Sequence, residues 1–544
     1  MKTLAAAAAW AAILTASSAL AQVKVDRVYP SAVGPGESMI AAEGKLPTWP
    51  CQVACDRADV TFACQEKSGN LKVTVAQDAA PGVAWIRLYD QKSASNLLPL
   101  LIESVTVTPE ATAVSGELGA ASTVSLPAAI AGRLAKSGEV DAAGVTIKSG
   151  ETLIASLIAN QILQSPMDAV LQITDLNGNV LAQSDDVRGL DPQLVYRSNA
   201  DLDVVVRLFA FPATPNSTVG FSGSASYTYV LRLTTGPFLD HVSPVAIGVS
   251  ADQATPAGWN LSADAMAKRR EATEISPPLW HLDGAIGWHW QQSLNRQAIN
   301  QMESSDPTSV ARAESLPVVF CGRITEPRQV DRLRFRVSKG KKYTARSYAK
   351  SSGFLLDTVL RVIDVETDKE ITRKDDISRT DFDAAVDFKA AGDSEYELQV
   401  SDAVDAFGIR HVYAVLLEEV VPSVRLSVAA DQFSLSAGGS VEIPVTVTRT
   451  NGDAEKISVA ATGLPPGVTV TPIISEAKGD TAKSVKLKLA AQADVQFQGS
   501  VKIVGTTLDS TGTSTDRVHT ATFPLPLGLE LEKIWLSVAK KSLL

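Results

Sequence analysis

Short runs in which apolar and polar side chains alternate recur along most of this chain. Leu71-Lys-Val-Thr-Val75 and Val441-Glu-Ile-Pro-Val-Thr-Val447 place apolar residues at every second position, the period of a strand with one packed and one wet face. Ala169-Val-Leu-Gln-Ile173 and Tyr227-Thr-Tyr-Val-Leu-Arg-Leu233 are more continuously apolar, as strands deeper in a packed sheet are. Gly, Asp, Asn, Ser and Pro separate these runs, and each favours a turn for its own backbone reason. Gly463-Leu-Pro-Pro-Gly-Val468 has Pro and Gly placed for a tight turn between two strands. Long helical patterns are nearly absent beyond the first residues. The pattern predicts an all-β chain, a mosaic of β-sandwich domains.

One segment appears twice. Ser125–Asp141 reads SLPAAIAGRLAKSGEVD, and Ser315–Asp331, 190 residues later, reads SLPVVFCGRITEPRQVD. The correspondence continues from Met167–Asp175 to Leu356–Asp364, from Asp185-Asp186 to Asp375-Asp376, and from Asp191 to Asp381. Such a repeat means one domain type used twice. The chain then divides into a leader at 1–21, a small N-terminal β domain (Ig- or IPT-like) at 22–107, and a first repeat at 108–240. A connector follows at 241–312, then a second repeat at 313–422 and a last β domain at 423–544.

Ser165-Pro-Met-Asp168, Leu190-Asp-Pro192, Arg207-Leu-Phe-Ala-Phe-Pro-Ala-Thr-Pro215 and Tyr229-Val-Leu-Arg-Leu-Thr-Thr-Gly-Pro237 resemble the bacterial pre-peptidase C-terminal domain, in the form common in large secreted planctomycete proteins. The last domain resembles bacterial immunoglobulin-like sandwiches. The resemblance implies two jelly-roll-like repeats with Ig-like ends. In the family this domain accompanies a peptidase or another catalytic domain, but no such domain is evident here. Its collagen-binding members hold calcium partly through a Glu-Pro-Asn-Asp-like segment before the domain. Glu303-Ser-Ser-Asp306 keeps a remnant of it, whereas the first copy has only Pro109-Glu110.

The chain carries a formal charge of −10, which argues against a nucleic-acid partner, since that needs a concentrated basic face. Lys2, the apolar run Leu4–Leu14 and Ala19-Leu20-Ala21 have the order of a secretory signal with its cleavage site, so the mature chain is expected to start at Gln22. That run is short for a bilayer span, and no other stretch qualifies. We therefore expect an exported mature protein, periplasmic, at the cell surface or extracellular, without a transmembrane segment. Export admits one disulfide among Cys51, Cys55 and Cys64, in any of three pairings. Cys321 answers Ala131 in the repeat and is expected to be a small buried apolar residue.

No G-x-S-x-G, H-E-x-x-H or P-loop pattern occurs. The acids are the first candidate site. Calcium takes about six to eight oxygen ligands, often from loops. The second repeat offers Glu303, Asp306, Asp357, Asp364, Asp375, Asp376 and Asp381, and the first offers Asp168, Asp175, Asp185, Asp186 and Asp191. The plainer reading is that each Asp closes a turn with its own backbone. Trp280, Trp288 and Trp290 form the second candidate, a platform for sugar rings. Their plainer role is to pin the connector onto the sandwiches. Gln291–Glu303 reads as a short helix or a flexible arm. Together these features point to a non-catalytic envelope or secreted protein that engages protein or polysaccharide, calcium-stiffened or acting as a spacer. An exported hydrolase, a peptidase or its accessory subunit, is the alternative.

Overall fold

The computed structural model describes residues 23–110, 122–214, 217, 220–247, 254–293, 297–300 and 310–540. The expected signal segment, and Glu303 and Asp306, lie outside them. The described chain is almost entirely strand, and its strands stack as β-sandwiches. The N-terminal domain packs two four-stranded sheets. One runs Lys24–Tyr29, Gly36–Lys45, Asn70–Val75, Val60–Cys64, and the other Ala32–Val33, Leu98–Ile102, Gly82–Tyr89, Gln52–Cys55.

Both repeats share one topology of two five-stranded sheets. In the first, one sheet is ordered Val107–Pro109, Ala128–Arg133, Thr228–Thr234, Thr152–Ile158, Gln193–Arg197. The other is ordered Ser122–Thr123, Asp141–Ile147, Leu202–Pro212, Met167–Asp175, Val180–Ser184. The second repeat reproduces this order strand for strand, from Gln297–Asn300 to Ala385–Lys389 and from Val310–Arg312 to Lys369–Lys374. Its opening strand falls in the stretch whose sequence suggested a helix or an arm. Gln297–Asn300 is instead an edge strand running parallel to Val318–Arg323, as Val107–Pro109 runs parallel to Ala128–Arg133.

The copies fill their cores differently. Matching strand registers set Ile130, Ala143 and Val206 of the first against Phe320, Leu333 and Leu398 of the second. The second core also holds Phe335, Tyr343 and Tyr396, where the first has Val145, Leu153 and Val204. The topology survives because the in–out alternation is kept while residue size drifts.

The connector is a small β unit with a core of its own around Leu239, Val242, Trp280, Leu282 and Ala285. It pairs Phe238–Ser243 with Thr255–Trp259, and it forms a three-stranded sheet from Lys268–Arg270, Leu279–His281 and Trp288–Trp290. In the C-terminal sandwich, Ser514–Pro524 pairs with Phe497–Leu508 in one sheet and Ser423–Val428 in the other. The expected turn lies there between Lys456–Thr462 and Val468–Thr471, with Gly463 at φ 74° and Gly467 at φ 82°, values an L residue rarely adopts. Among the described residues no helix is long and apolar enough to cross a membrane.

Candidate functional site

The units meet through buried ions. Asp240, on the connector strand Phe238–Ser243, which begins three residues before the boundary expected at 241, is almost wholly removed from solvent. Its Oδ1 accepts from Arg188 Nη2 of the first repeat at 2.6 Å and from Arg410 Nη1 of the second at 2.5 Å. Its Oδ2 lies 2.8 Å from His241 Nδ1. Burial alone would raise this carboxyl, but Arg410 and Arg188 hold it well below the usual carboxylate range. Burial lowers Arg410 to about 10 against the pull of Asp240, and a second Arg410 nitrogen donates to the Gly353 carbonyl.

An Asp–His pair has the geometry of part of a nucleophilic triad. Here, however, His241 is 0% exposed, and its ring packs edge-on against Phe354 at 5.3 Å and His289 at 6.3 Å. Burial lowers His289 to about 3, so that ring is neutral. A substrate has no access to this pair, and its chemistry is that of a joint.

Two further joints are similar. Glu103 of the N-terminal domain accepts three hydrogen bonds of 2.7–3.0 Å from Arg232 of the first repeat. That guanidinium also sits 5.5 Å from the Trp288 ring of the connector. Arg87 of the N-terminal domain donates to Asp431 of the C-terminal domain at 2.8 Å and lies 5.6 Å from the Trp535 ring.

The connector tryptophans take the plainer of their two expected roles, pinning the connector at these joints, and not that of a sugar platform. Trp280 is 1% exposed and donates to Gln291 Oε1 at 2.6 Å. Trp288 is buried and Trp290 half-buried, with ring centroids 5.1 Å apart. Trp288 packs with Trp85, Val83, Ile158 and Val230, from the N-terminal domain and the first repeat. Its face is therefore covered by protein instead of offered to a sugar.

The repeated acids do not gather at one point. Asp175 accepts from the amides of Asn177 and Asn179, and Asp364 from those of Glu366 and Thr367, so each closes its own turn. Asp191 is buried and accepts from the amides of Ala159, Asn160 and Gln161 at 2.7–3.2 Å. Burial lifts it to about 6, although those amides favour its charge. In the second copy Asp383, and not Asp381, does this for Ala349, Lys350 and Ser351. Asp381 reaches Arg346 instead, at 3.3 Å. Asp168 is raised by burial and then by Asp186 and Asp185. Asp357 is raised by burial, with Asp376, Asp402 and Asp375 adding to this and Lys350 opposing it. Among the described residues no three His, Cys, Asp or Glu side chains are placed to hold a metal ion. Asp168 with Asp185 and Asp186, and Asp357 with Asp375 and Asp376, form one local acid group in each repeat, while Glu303 and Asp306 lie outside the described residues.

Each repeat also buries a tyrosine–aspartate pair. Tyr229 Oη donates to Asp141 Oδ2 at 2.6 Å, and Tyr413 Oη donates to Asp331 Oδ2 at 2.6 Å. Gly132 and Gly322 pass beside these hydroxyls, where a Cβ would collide with the tyrosine. This close approach explains the glycine shared by both copies at this position. The surroundings differ. In the second repeat Gln329 Nε2 donates to Asp331 Oδ1 at 2.8 Å. In the first the same position is Glu139, which accepts from the Lys136 amide at 2.9 Å, and Glu110 Oε2 lies 3.2 Å from the Tyr229 hydroxyl. Asp141 faces a cavity of about 430 Å³ between the two sheets.

Comparison with known proteins gives distant structural likenesses for this chain. No family model and no curated protein matches it. Among solved structures, the N-terminal four Ig domains of Dscam1 isoform 7.44 are 9% identical, with 94% of this chain and 97% of that one covered and a TM-score of 0.18. The M60 catalytic domain with CBM51-1 and CBM51-2 from Clostridium perfringens ZmpB is 9% identical at a TM-score of 0.14, covering 72% of this chain but 46% of that one. The chain thus spans about half the length of that structure. The fibronectin(III)-like modules of Clostridium thermocellum CbhA are 11% identical, with 38% and 90% covered and a TM-score of 0.14.

Of the first three cysteines, Cys51 and Cys64 come together, with Sγ atoms 3.8 Å apart. Burial and the neighbouring Cys64 push the Cys51 thiol up to about 12, which slows uncatalysed oxidation. Peptide mapping of the oxidised, non-reduced protein is expected to recover a Cys51–Cys64 link. Recovery of a Cys55 link would contradict it. Cys321 is 1% exposed, beside Val245 and Ala246.

The residues at the joints carry no motif. Asp240, Arg188, Arg410, Glu103 and Arg232 are scattered single charges in the chain, and only folding brings them together. Asp141 and Asp331 did have a signal, because each closes the duplicated segment.

Proposed function

We propose that the chain is an exported, non-catalytic scaffold whose sandwich loops and edges engage protein or polysaccharide of the bacterial envelope. The observation that carries this reading is the set of buried joints. Asp240 ties the connector to both repeats, Glu103 ties the N-terminal domain to the first repeat, and Asp431 ties it to the C-terminal domain. Charges buried at an interface cost several kcal/mol of desolvation each unless they are paired. Such joints therefore hold their units in one arrangement and disfavour hinge motion. A held arrangement suits a spacer that presents surfaces at set distances. The resemblance of the repeats to pre-peptidase C-terminal domains supports export.

The test uses the full chain immobilised and exposed to envelope polysaccharide and collagen-like protein, alongside broad peptide and glycoside substrates. Saturable retention of a polymer with no turnover is the expected result. Retention of nothing, or cleavage of any substrate, would overturn the reading.

A further inference from the structure

The two repeats share a topology but differ in charge on the outer face of one sheet. In the second repeat that sheet is ordered Val310–Arg312, Asp331–Val337, Ser394–Asp402, Thr358–Asp364, Lys369–Lys374. Asp331–Val337 reads Asp-Arg-Leu-Arg-Phe-Arg-Val, with Leu333, Phe335 and Val337 in the core. Strand alternation therefore sends Arg332, Arg334 and Arg336 outward together. Leu360 and Val362 are core residues, so Arg361 between them also points outward, and Arg373 is its cross-strand partner. Arg312 completes the set beside Arg334. Arg312, Arg332, Arg334 and Arg361 have side chains 31–57% exposed, and Arg336 and Arg373 are exposed. Among the described residues nothing covers this face.

Three glutamates stand among the six arginines. Glu395 lies 2.5 Å from Arg312, Glu397 3.1 Å from Arg334, and Glu370 2.6 Å from Arg361. Among the described residues Arg336 and Arg373 have no carboxylate partner. The face thus carries a surplus of positive charge on a chain whose formal charge is −10. One row across the strands holds no acid: Arg373, Arg361, Gln399 and Arg332 stand side by side. At about 4.8 Å per strand, this row is about 14 Å long. Arg361 and Arg373 are like charges directly opposed, which costs a sheet stability. The same row of the first repeat is Gln183, Gln172, Arg207 and Ala142. The shared fold does not need the added arginines, and a local cost without structural return points to a surface used for binding.

We propose that this face binds an acidic polysaccharide, with carboxylates of successive sugars received by Arg373, Arg361, Arg332 and Arg336. The inference rests on the reading of the chain as a scaffold that engages polysaccharide, and it names the class of polymer. A polymer fits because the charge is spread along an open row instead of gathered in a pocket. A carboxylate fits because the planar guanidinium fork matches its geometry, and Glu370, Glu395 and Glu397 already take that role on this face. Among the described residues the face carries no aromatic ring on which a base could stack. Its outward Val359 and Ile363 are buried, which leaves no apolar side chain to enter a lipid surface. Exposed ion pairs are individually weak and are screened by salt, so binding should need several sugars at once and should be salt-sensitive.

Surface plasmon resonance of the full chain with polygalacturonate, against neutral dextran, tests the proposal. The expected result is saturable binding of polygalacturonate, undetectable for dextran, that weakens about tenfold as salt rises from about 50 mM to about 500 mM. Arg361→Gln/Arg373→Gln installs the two residues of the first repeat and removes an opposed pair of like charges. It should fold with a Tm no lower than that of the wild type, and bind about tenfold more weakly through the loss of two charge-assisted contacts. Lys486→Gln/Lys488→Gln removes the same charge from an exposed strand face of the C-terminal domain, and its binding should match the wild type. Absence of saturable polygalacturonate binding, unchanged binding in the folded arginine variant, or an equal loss in the lysine variant would overturn the site. Equal affinity for a DNA duplex or for phosphatidylglycerol vesicles would overturn it as well. Retention of a neutral envelope polymer without polygalacturonate binding would overturn this inference while the scaffold reading stood.

Discussion

Asp240→Ala is expected to destabilise the protein by about 3–5 kcal/mol, because it leaves two arginines at the junction with no counter-charge. Arg410 is 4% exposed on its side of the joint, and its terminal nitrogens are committed to Asp240 and the Gly353 carbonyl. It cannot turn to water without opening the contact between the repeats. The loss should therefore appear as decoupling. Calorimetry should show the unfolding endotherm broaden or split as the second repeat separates from the connector. The pH profile supplies a second check. Asp240 is held well below its ordinary value of 3.8. A depressed carboxyl contributes stability that is present above the unfolded value and is lost as pH falls through the folded one. The wild type should thus lose stability on acidification below about pH 4 more steeply than Asp240→Ala does. A stability loss under about 1 kcal/mol, the range of exposed pairs, would show that the joint is not needed for cohesion.

The second large effect concerns Arg232 and Glu103. Arg232→Met should cost about 3–5 kcal/mol, since Glu103 would remain buried as an unpaired carboxylate. Removing both charges should behave differently. Arg232→Met/Glu103→Leu places two apolar side chains beside Trp288, and similar replacements of buried ion pairs are neutral or stabilising by about 1–4 kcal/mol. Chemical denaturation of both variants checks this. If the double variant is as unstable as the single one, the pair contributes geometry that apolar packing does not replace. The same comparison bears on why charges stand at these interfaces at all. A matched pair specifies one docking arrangement, whereas an apolar patch tolerates several.

The acids illustrate how far single residues could be read. Asp175 and Asp364 do close turns, the plainer role visible from the sequence, because an Asx turn is a local event within a few residues. Asp191 and Asp381 were aligned by position, yet the buried amide-capping role passes to Asp383. A shift of two residues in a loop moves a side chain to a new partner while leaving the strands in register. Gln297–Asn300 shows the same limit for an element. Its partner is Val318–Arg323, and an edge strand held by one parallel neighbour needs no alternation of its own. Trp288 and Trp290 stood out by composition, but burial depends on what packs over them, here the N-terminal domain and the first repeat.

The alternation of side chains and the duplicated segment were enough, by themselves, to determine that this is an all-β protein built of sandwiches with one module used twice. Those properties arise from interactions within a few residues, or from one pattern seen twice. Only the tertiary structure decided which scattered charges meet at Asp240, Glu103 and Asp431, and that a cavity of about 430 Å³ opens between the sheets of the first repeat. Such pairings join residues up to 344 positions apart. Their energies come from burial and desolvation, and a side chain acquires a buried environment only once the sheets have closed around it.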